Sequence, residues 1–353
     1  MERHEQALRQ LHAGTVIPAI PLVLDENRQL DEHGQRRLIR YYLASGVGGV
    51  AVAVHTTQFA IRKPGIDLFV PVLQVAQQEF DAFEQRTGQR LVRVAGACGP
   101  TEQAVQEARL AAAHGFDAVL LSPGGLNTLG EQELVARTRA VAEVLPVIGF
   151  YLQTACGGRR LSAAYWQAVA EIPGVAAIKC ASFDRYQTLD LVRGVAMSAR
   201  RDEVTLYTGN DDNIVVDLLT PFRFMVGGKM VEKRFAGGLL GHWSVWTHSV
   251  VQLYRELRAY QDGRPIPAEL LARAAAITDC NGVFFDAAHN FAGCIPGVHE
   301  VLRRQGLLRG IWCLDPAEQL SPGQSDEIDR VCAAYPELND DAFVRAHLKE
   351  WDE

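Results

Sequence analysis

The sequence predicts a (β/α)8 barrel followed by a C-terminal helical region. Short apolar, β-branched runs alternate with longer helical patterns from Val16 almost to His242, which indicates βαβ units and a parallel sheet. Eight such runs occur, and this number favours a closed barrel over a doubly wound open sheet. The length of 353 residues suits one barrel with an appendage, although it also suits two ordinary domains.

The predicted strands are short and apolar. They cover residues 16–20, 49–54, 91–96, 118–121, 147–151, 176–179, 204–208 and 238–241. Helix signatures fill the spaces between them: Thr101 and Glu102 open a helix that runs through Ala113, and Ser162 precedes a run that contains Trp166. The lengths of these helical segments suit a βα repeat.

Beyond the eighth strand the pattern becomes helical. Residues 248–260, 266–302 and 325–351 are predicted to be largely helical, with a break at Pro322 and Gly323. No Ser/Gly-rich linker precedes this region, so we expect it to pack on the barrel or at a subunit interface. The predicted ranges are a lead-in over 1–13, the barrel with the catalytic site over 14–262 and the helical region over 263–353.

Composition and charge narrow the class of protein. The chain is 48% hydrophobic and 22% charged, as in ordinary globular proteins. A net charge of −7 argues against broad electrostatic binding to nucleic acid or to an anionic membrane. The N-terminal segment has no long apolar core, and no later run approaches the roughly 18 apolar residues of a membrane span, so we expect a cytoplasmic protein.

The cysteines and histidines give no sign of a metal site. The seven cysteines include no CxxC pair, and the histidines are scattered without metal-ligand spacing. We expect free thiols, no metal and no cofactor. Cys180 follows a lysine, but strand alternation points it to the opposite face, where packing is a better interpretation than a nucleophilic role.

Lys179 is the most informative single residue. It ends the apolar run of the sixth predicted strand, and the chain contains only four other lysines, Lys63, Lys229, Lys233 and Lys349. Burial disfavours the ammonium form and lowers the pKa of a lysine toward the free amine that attacks carbonyls. The alternative is a lysine whose amine reaches solvent from the end of the strand.

Other polar residues follow the same ends of the predicted strands, where barrels of this class carry their active sites. These candidates are His55, Thr56, Thr57, Tyr151, Gly209, Asn210 and His242. Either histidine could transfer a proton near neutral pH, although a hydrogen-bonded structural histidine is the alternative for both. Trp243 and Trp246 flank His242 and fit either a pocket wall or the core.

Several motifs resemble the dihydrodipicolinate synthase and N-acetylneuraminate lyase superfamily, class I Schiff-base lyases on (β/α)8 barrels. Ala176–Ser182 resembles the family's lysine strand, GIK-x-(A/S)-S, and Phe150-Tyr151 resembles its strand-five tyrosine. Thr56-Thr57 stands where the family has GTTGE, and 208–211 stands where it has SGDD. The likeness spans roughly residues 14–302.

The chain also departs from the synthase pattern. His55 replaces the glycine before the threonines, and Gln58-Phe59 replaces the Gly-Glu after them. Cys156 stands at the position of the arginine that grips a substrate carboxylate in the synthases, and 123–125, Pro-Gly-Gly, replaces their PYY segment. These departures disfavour authentic dihydrodipicolinate synthase.

The resemblance implies a mechanism and roles for the candidates. The Lys179 amine would form an imine with a 2-oxo acid, Tyr151 would shuttle protons, and Thr56 and Thr57 would bind the carboxylate. His55, Gly209, Asn210 and His242 would contact substrate.

The function expected from these features is that of a Schiff-base lyase acting on pyruvate or a related 2-oxo acid. An aldolase or hydratase-aldolase, with an aldehyde as possible second substrate, is the leading interpretation. A 2-oxo sugar-acid dehydratase, a deaminase, an authentic dihydrodipicolinate synthase and a non-catalytic ligand-binding barrel stay open. The resemblance also implies a homotetramer or a homodimer.

Overall fold

The computed structural model describes residues 2–261 and 263–352. In this part of the chain ten strands form: β1 (Val16–Pro18), β2 (Gly49–Val52), β3 (Val92–Ala97), β4 (Ala118–Leu121), β5 (Val147–Leu152), β6 (Val175–Ala181), β7 (Thr205–Thr208), β8 (Phe222–Val226), β9 (Lys229–Lys233) and β10 (Phe235–Leu240). Eight of them make one sheet in the order β1-β10-β7-β6-β5-β4-β3-β2. β1 is also joined to β2 by the parallel bridge between Ala19 and Ala51. The predicted (β/α)8 barrel fold is confirmed.

Helices alternate with these strands and then continue to the C-terminus. They are α1 (Glu2–Ala13), α2 (Glu32–Ser45), α3 (Phe69–Thr87), α4 (Thr101–Ala113), α5 (Glu131–Ala142), α6 (Ala163–Ala170), α7 (Arg185–Met197), α8 (Ile214–Leu219), α9 (Thr247–Arg258), α10 (Ala268–Phe284), α11 (Cys294–Arg304), α12 (Gln324–Ala334) and α13 (Asp341–Trp351). Local sequence fixes their ends: the Ser162 side chain, for example, accepts a hydrogen bond from the Tyr165 N–H at the start of α6.

The helical region predicted over 266–302 is interrupted. α10 ends at Phe284 and α11 begins at Cys294. Between them Asp286, Asn290 and Phe291 have φ values of 58°, 54° and 66°. A right-handed helix cannot continue through positive φ, so this connection breaks the helix although its composition does not announce a break.

An antiparallel hairpin, which the sequence patterns do not predict, fills the connection before β10. β8 and β9 pair from Phe222 opposite Lys233 to Val226 opposite Lys229, and Gly227 and Gly228 make the turn with φ values of 55° and 78°. Two glycines at positive φ are the residues that a tight two-residue hairpin turn requires. The length of this connection is therefore taken up by a hairpin.

The described chain divides into two compact units. The first consists of Met1–Thr15 and Val92–Leu239, and the second of Val16–Leu91 and Leu240–Glu353. The predicted ranges 1–13, 14–262 and 263–353 stay predictions, and their end points Met1, Asp262 and Glu353 lie outside the described residues.

In the first unit, α1 is tied to the strands. The Arg3 guanidinium contacts the Asp117 carboxylate at 2.5 Å, and the Tyr207 hydroxyl donates to the Leu11 carbonyl at 2.7 Å. Strands β3 to β6 are buried along their whole length. Such strands read as continuous apolar runs because both of their faces are covered.

In the second unit, the C-terminal helices pack on α2. The Tyr41 hydroxyl donates to the Asp340 carboxylate at 2.8 Å, and the rings of Tyr41 and Trp351 meet edge to face at 5.5 Å. Arg37 on α2 forms an ion pair with Asp352 at 2.8 Å. Among the described residues, no helix combines the length and apolar character needed to cross a bilayer.

Candidate active site

Lys179 lies within β6, and its side chain is buried. The residue is 6% exposed. The register places Phe150 of β5 and Tyr207 of β7 directly beside it on the two neighbouring strands. A lysine inside a fully buried strand cannot keep its amine in bulk water, so its surroundings determine its charge.

Phe150 is the aromatic residue that contacts the lysine amine. The Lys179 Nζ lies 4.4 Å from the centroid of the Phe150 ring. The two residues are register partners on adjacent strands, and side chains of such partners point to the same face of a sheet. The ring gives the ammonium form a cation–π contact, but it has no proton to exchange.

Tyr151 lies on the opposite face of β5. Its register partner is Cys180, and its hydroxyl donates to the Gln187 side-chain oxygen at 2.6 Å and accepts from the Leu161 N–H at 3.1 Å. A shift of one residue along a strand moves a side chain to the other face. The structure does not bring Tyr151 to Lys179, and this geometry does not support the proton shuttle predicted for it.

Replacing Tyr151 with phenylalanine is expected to leave imine formation unchanged. The loss of two hydrogen bonds in the layer of α6 and α7 is expected to lower the free energy of unfolding by about 1–2 kcal/mol. Reductive trapping of a 2-oxo acid, together with thermal unfolding, checks both expectations. A variant of undiminished stability that no longer forms the adduct would restore the shuttle.

Gly209 leaves room for the lysine side chain. A Cβ at this position would lie 2.3 Å from the Lys179 Cε and 2.9 Å from the Ala181 Cβ. The Gly209 N–H donates to the Cys180 carbonyl at 2.6 Å. The residue therefore acts first as a gap through which the amine is placed, and the substrate contact predicted for it stays a prediction.

Asn210 holds the loop that follows β7. Its side-chain amide donates to the Asp217 carboxylate at 2.8 Å, and its oxygen accepts from the Phe183 N–H at 3.1 Å. The residue is fully buried. Both ends of the side chain are used within the protein, so Asn210 positions the loop and the predicted substrate contact finds no support in this geometry.

The electrostatics of the lysine combine burial with a carboxylate. Burial lowers the pKa of the Lys179 amine from its ordinary 10.5 to about 8, while Asp211 and Cys156 act in the opposite direction. The pKa of the Cys156 thiol is raised to about 11, first by burial and then by Asp211. At neutral pH Cys156 is therefore a neutral thiol. Lys179, Asp211 and Cys156 form one interacting group.

Thr56 and Thr57 lie in a short 3₁₀ turn of the second unit and are buried. The Thr56 hydroxyl donates to the Ala19 carbonyl at 2.7 Å, and the Thr57 hydroxyl donates to the Ile20 carbonyl at 2.7 Å. The Thr57 N–H donates to the Val54 carbonyl. These donors tie the turn to the segment after β1, so the geometry does not support carboxylate binding through the two hydroxyls.

The two candidate histidines also lie in the second unit. His55 is half-buried and its ring meets that of Phe59 at 5.9 Å. His242 is buried and stacks on Phe284 with 5.9 Å between ring centroids, and burial lowers its pKa from 6.5 to about 4. A neutral imidazole at pH 7 can hydrogen-bond to a ligand but is a weak base, so the structural interpretation gains for His242.

Three residues near the amine are absent from the candidates chosen from the sequence: Phe150, Cys156 and Asp211. Asp211 follows two chosen residues directly, and Cys156 stands at a position already marked as a departure. Phe150 could have been found from strand alternation, because Lys179 and Phe150 must face the same side if they are register partners. The described residues contain no group of three or more His, Cys, Asp or Glu side chains placed to hold a metal ion.

A (β/α)8 barrel with a buried lysine on its sixth strand defines the class of protein. The family model described as the dihydrodipicolinate synthetase family matches residues 12–227. The chain belongs to this family.

Two kinds of similar protein refine the picture. An N-acetylneuraminate lyase of Citrobacter koseri is 28% identical over 58% of this chain and 65% of its own length, so the match spans about two thirds of that relative. Among solved structures, a dihydrodipicolinate synthase from Oceanobacillus iheyensis has a TM-score of 0.73 at 17% identity, covering 95% of this chain and 99% of that one. YagE of Escherichia coli K12, solved in complex with pyruvate, has a TM-score of 0.71 at 17% identity, covering 92% and 98%. These structures show a shared fold.

Proposed function

We propose that this protein is a Schiff-base lyase whose Lys179 amine forms an imine with pyruvate or a related 2-oxo acid. The observation that carries the proposal is the buried amine, whose pKa is about 8. An amine with such a pKa is partly deprotonated near neutral pH, and only the free amine attacks a ketone.

The imine would supply the chemistry of the reaction. The amine adds to the C2 carbonyl and water leaves, so that the protonated imine withdraws electrons from C3. In the aldolase direction the C3–C4 bond of a 4-hydroxy-2-oxo acid breaks, its electron pair forms the enamine, and an aldehyde leaves. Aldolase or hydratase-aldolase chemistry is the leading proposal, and a sugar-acid dehydratase or an authentic dihydrodipicolinate synthase would use the same intermediate.

The comparisons support this reaction class. The family includes relatives named as N-acetylneuraminate lyases, and one structural neighbour was solved with pyruvate bound. The alignment to the curated relative covers only 65% of that protein. The substrate of this chain is therefore proposed at the level of a 2-oxo acid, with an aldehyde as the possible second substrate.

Adduct formation is expected to depend on pH through the lysine. The rate of reductive trapping should rise with pH, with a midpoint near pH 8, and level off above it, because protonated Lys179 cannot attack. The measurement is the rate of adduct formation with pyruvate and cyanoborohydride between about pH 6 and about pH 10. A midpoint near the ordinary lysine value of 10.5 would contradict the burial argument.

A second function, that of a non-catalytic ligand-binding barrel, is favoured by one observation. The aromatic residue over the amine is Phe150, and the neighbouring Tyr151 hydroxyl points to the other face of the strand. Turnover of 4-hydroxy-2-oxo acids to pyruvate in a coupled assay distinguishes the two functions. Stoichiometric adduct without turnover across the substrates would favour the binding protein. Loss of activity on addition of EDTA would instead indicate a metal-dependent aldolase.

We also propose self-association and a cytoplasmic location. A homotetramer or a homodimer is expected from the family resemblance. Sedimentation velocity tests it, and a species of only 38.8 kDa would overturn it. Cell fractionation tests the location.

A further inference from the structure

The proposed reaction needs a group that moves a proton at C3 of the bound 2-oxo acid. To convert the pyruvate imine into its enamine, the C3–H bond must break and its electron pair must form the C2–C3 double bond. The C2–N π pair then returns to nitrogen, and a base must hold the proton. The Phe150 ring beside the amine cannot act as this base, and the Tyr151 hydroxyl is bonded to Gln187 and Leu161.

Asp211 is the carboxyl group placed to act there. It follows β7 by three residues and is 4% exposed, and its N–H donates to the Gly209 carbonyl at 3.1 Å. Gly209 in turn lies against the Lys179 side chain, since a Cβ there would lie 2.3 Å from Cε. Asp211 is close enough to interact electrostatically with both the Lys179 amine and the Cys156 thiol.

The neighbouring polar groups are less suited to the task. Cys156 keeps its proton at neutral pH, because burial and Asp211 raise its pKa to about 11. Asp212, the next carboxyl group in the chain, interacts with Arg185 and Asp217. Asn210 has both ends of its amide bonded within the loop.

We propose that the Asp211 carboxylate is the base that takes the C3 proton of the Lys179 imine and returns it when the enamine is protonated. The proposal rests on the proposed function, since it requires the imine. No oxidant, reductant or further reactant is involved: the proton passes to the carboxylate, the electron pair passes to the enamine, and both return. In the cleavage direction the same carboxylate is placed to accept the proton of the C4 hydroxyl.

The test compares imine formation with proton exchange, using pyruvate as the probe. Borohydride trapping followed by intact mass reports the imine. NMR of the pyruvate methyl group in D₂O reports exchange at C3, so no knowledge of the aldehyde is needed. The variants are Asp211→Asn, Asp211→Glu and, as a matched control one residue along, Asp212→Asn.

We expect Asp211→Asn to form the trapped adduct while its exchange rate falls about 10²-fold or more. Asp211→Glu keeps a carboxylate and should recover part of that rate, and Asp212→Asn should exchange within about twofold of the wild type. The pH midpoint of trapping should move downward in Asp211→Asn, because the carboxylate that stabilises the ammonium is gone.

Each contrary result is separately diagnostic. Exchange at the wild-type rate in Asp211→Asn overturns the proposal, and so does an unchanged pH midpoint. Loss of the adduct as well as of exchange would make Asp211 a residue that positions the lysine, which also overturns the base assignment. A wild-type protein that traps no pyruvate would instead defeat the proposed function itself, whatever the variants do.

Discussion

Replacing Lys179 with alanine is expected to abolish the pyruvate adduct and to reduce turnover by about 10⁴-fold or more. The reason is that the imine nitrogen is the electron sink of the proposed reaction, and no other described amine lies in this buried strand. Coupled assay of pyruvate release and intact-mass measurement after reduction check the two parts separately.

A matched control uses a lysine in a different setting. Lys229→Ala changes an exposed lysine at the start of β9, and we expect wild-type trapping and turnover. Substantial turnover by Lys179→Ala would remove covalent catalysis from the account. An adduct that persists in this variant and maps to another lysine would place the imine elsewhere.

Replacing Asp217 with alanine is expected to destabilise the protein by about 3 kcal/mol. Asp217 is 1% exposed and accepts from Arg185 at 2.6 Å, from the Thr208 hydroxyl at 2.7 Å and from the Asn210 amide at 2.8 Å. Its removal leaves these buried donors without their shared acceptor. The half-exposed Arg185 can turn to water, so the buried Thr208 and Asn210 account for most of the loss.

The consequence should extend to catalysis, because Asn210 stands between Gly209 and Asp211. We expect the apparent midpoint of thermal unfolding to fall by about 5 °C and adduct formation to slow. Asp190→Ala removes a half-exposed carboxylate paired with Arg193 at 2.7 Å and should change stability by less than about 0.5 kcal/mol. An Asp217→Ala variant as stable as the wild type would show that the network carries little energy.

The barrel could be predicted from the sequence because its signal is repeated. Each buried parallel strand is a short apolar run, and eight such runs separated by helical patterns leave few architectures. The hairpin of β8 and β9 could not be found in this way. Its strands are half-exposed and mix charged residues with Met225 and Met230, and Gly227-Gly228 is a turn signal only once the register around it is known.

The site was predictable in its lysine but not in the residues around it. Lys179 stands out since a charged residue interrupts an apolar strand. Tyr151 was chosen over Phe150 because tyrosine has the chemistry expected of a proton shuttle, whereas the face of a side chain depends on strand register, which no local pattern specifies. The polar partners of Thr56 and Asn210 depend likewise on segments distant in sequence, Ala19 and Asp217.

The most direct test of the central claim is the mass of the intact wild-type protein after borohydride reduction in the presence of pyruvate, with peptide mapping of any adduct. We predict a single reduced pyruvate adduct on the peptide that contains Lys179. The absence of any adduct with pyruvate and with longer 2-oxo acids, or an adduct confined to another lysine, would contradict the proposal that this barrel works through a Lys179 imine.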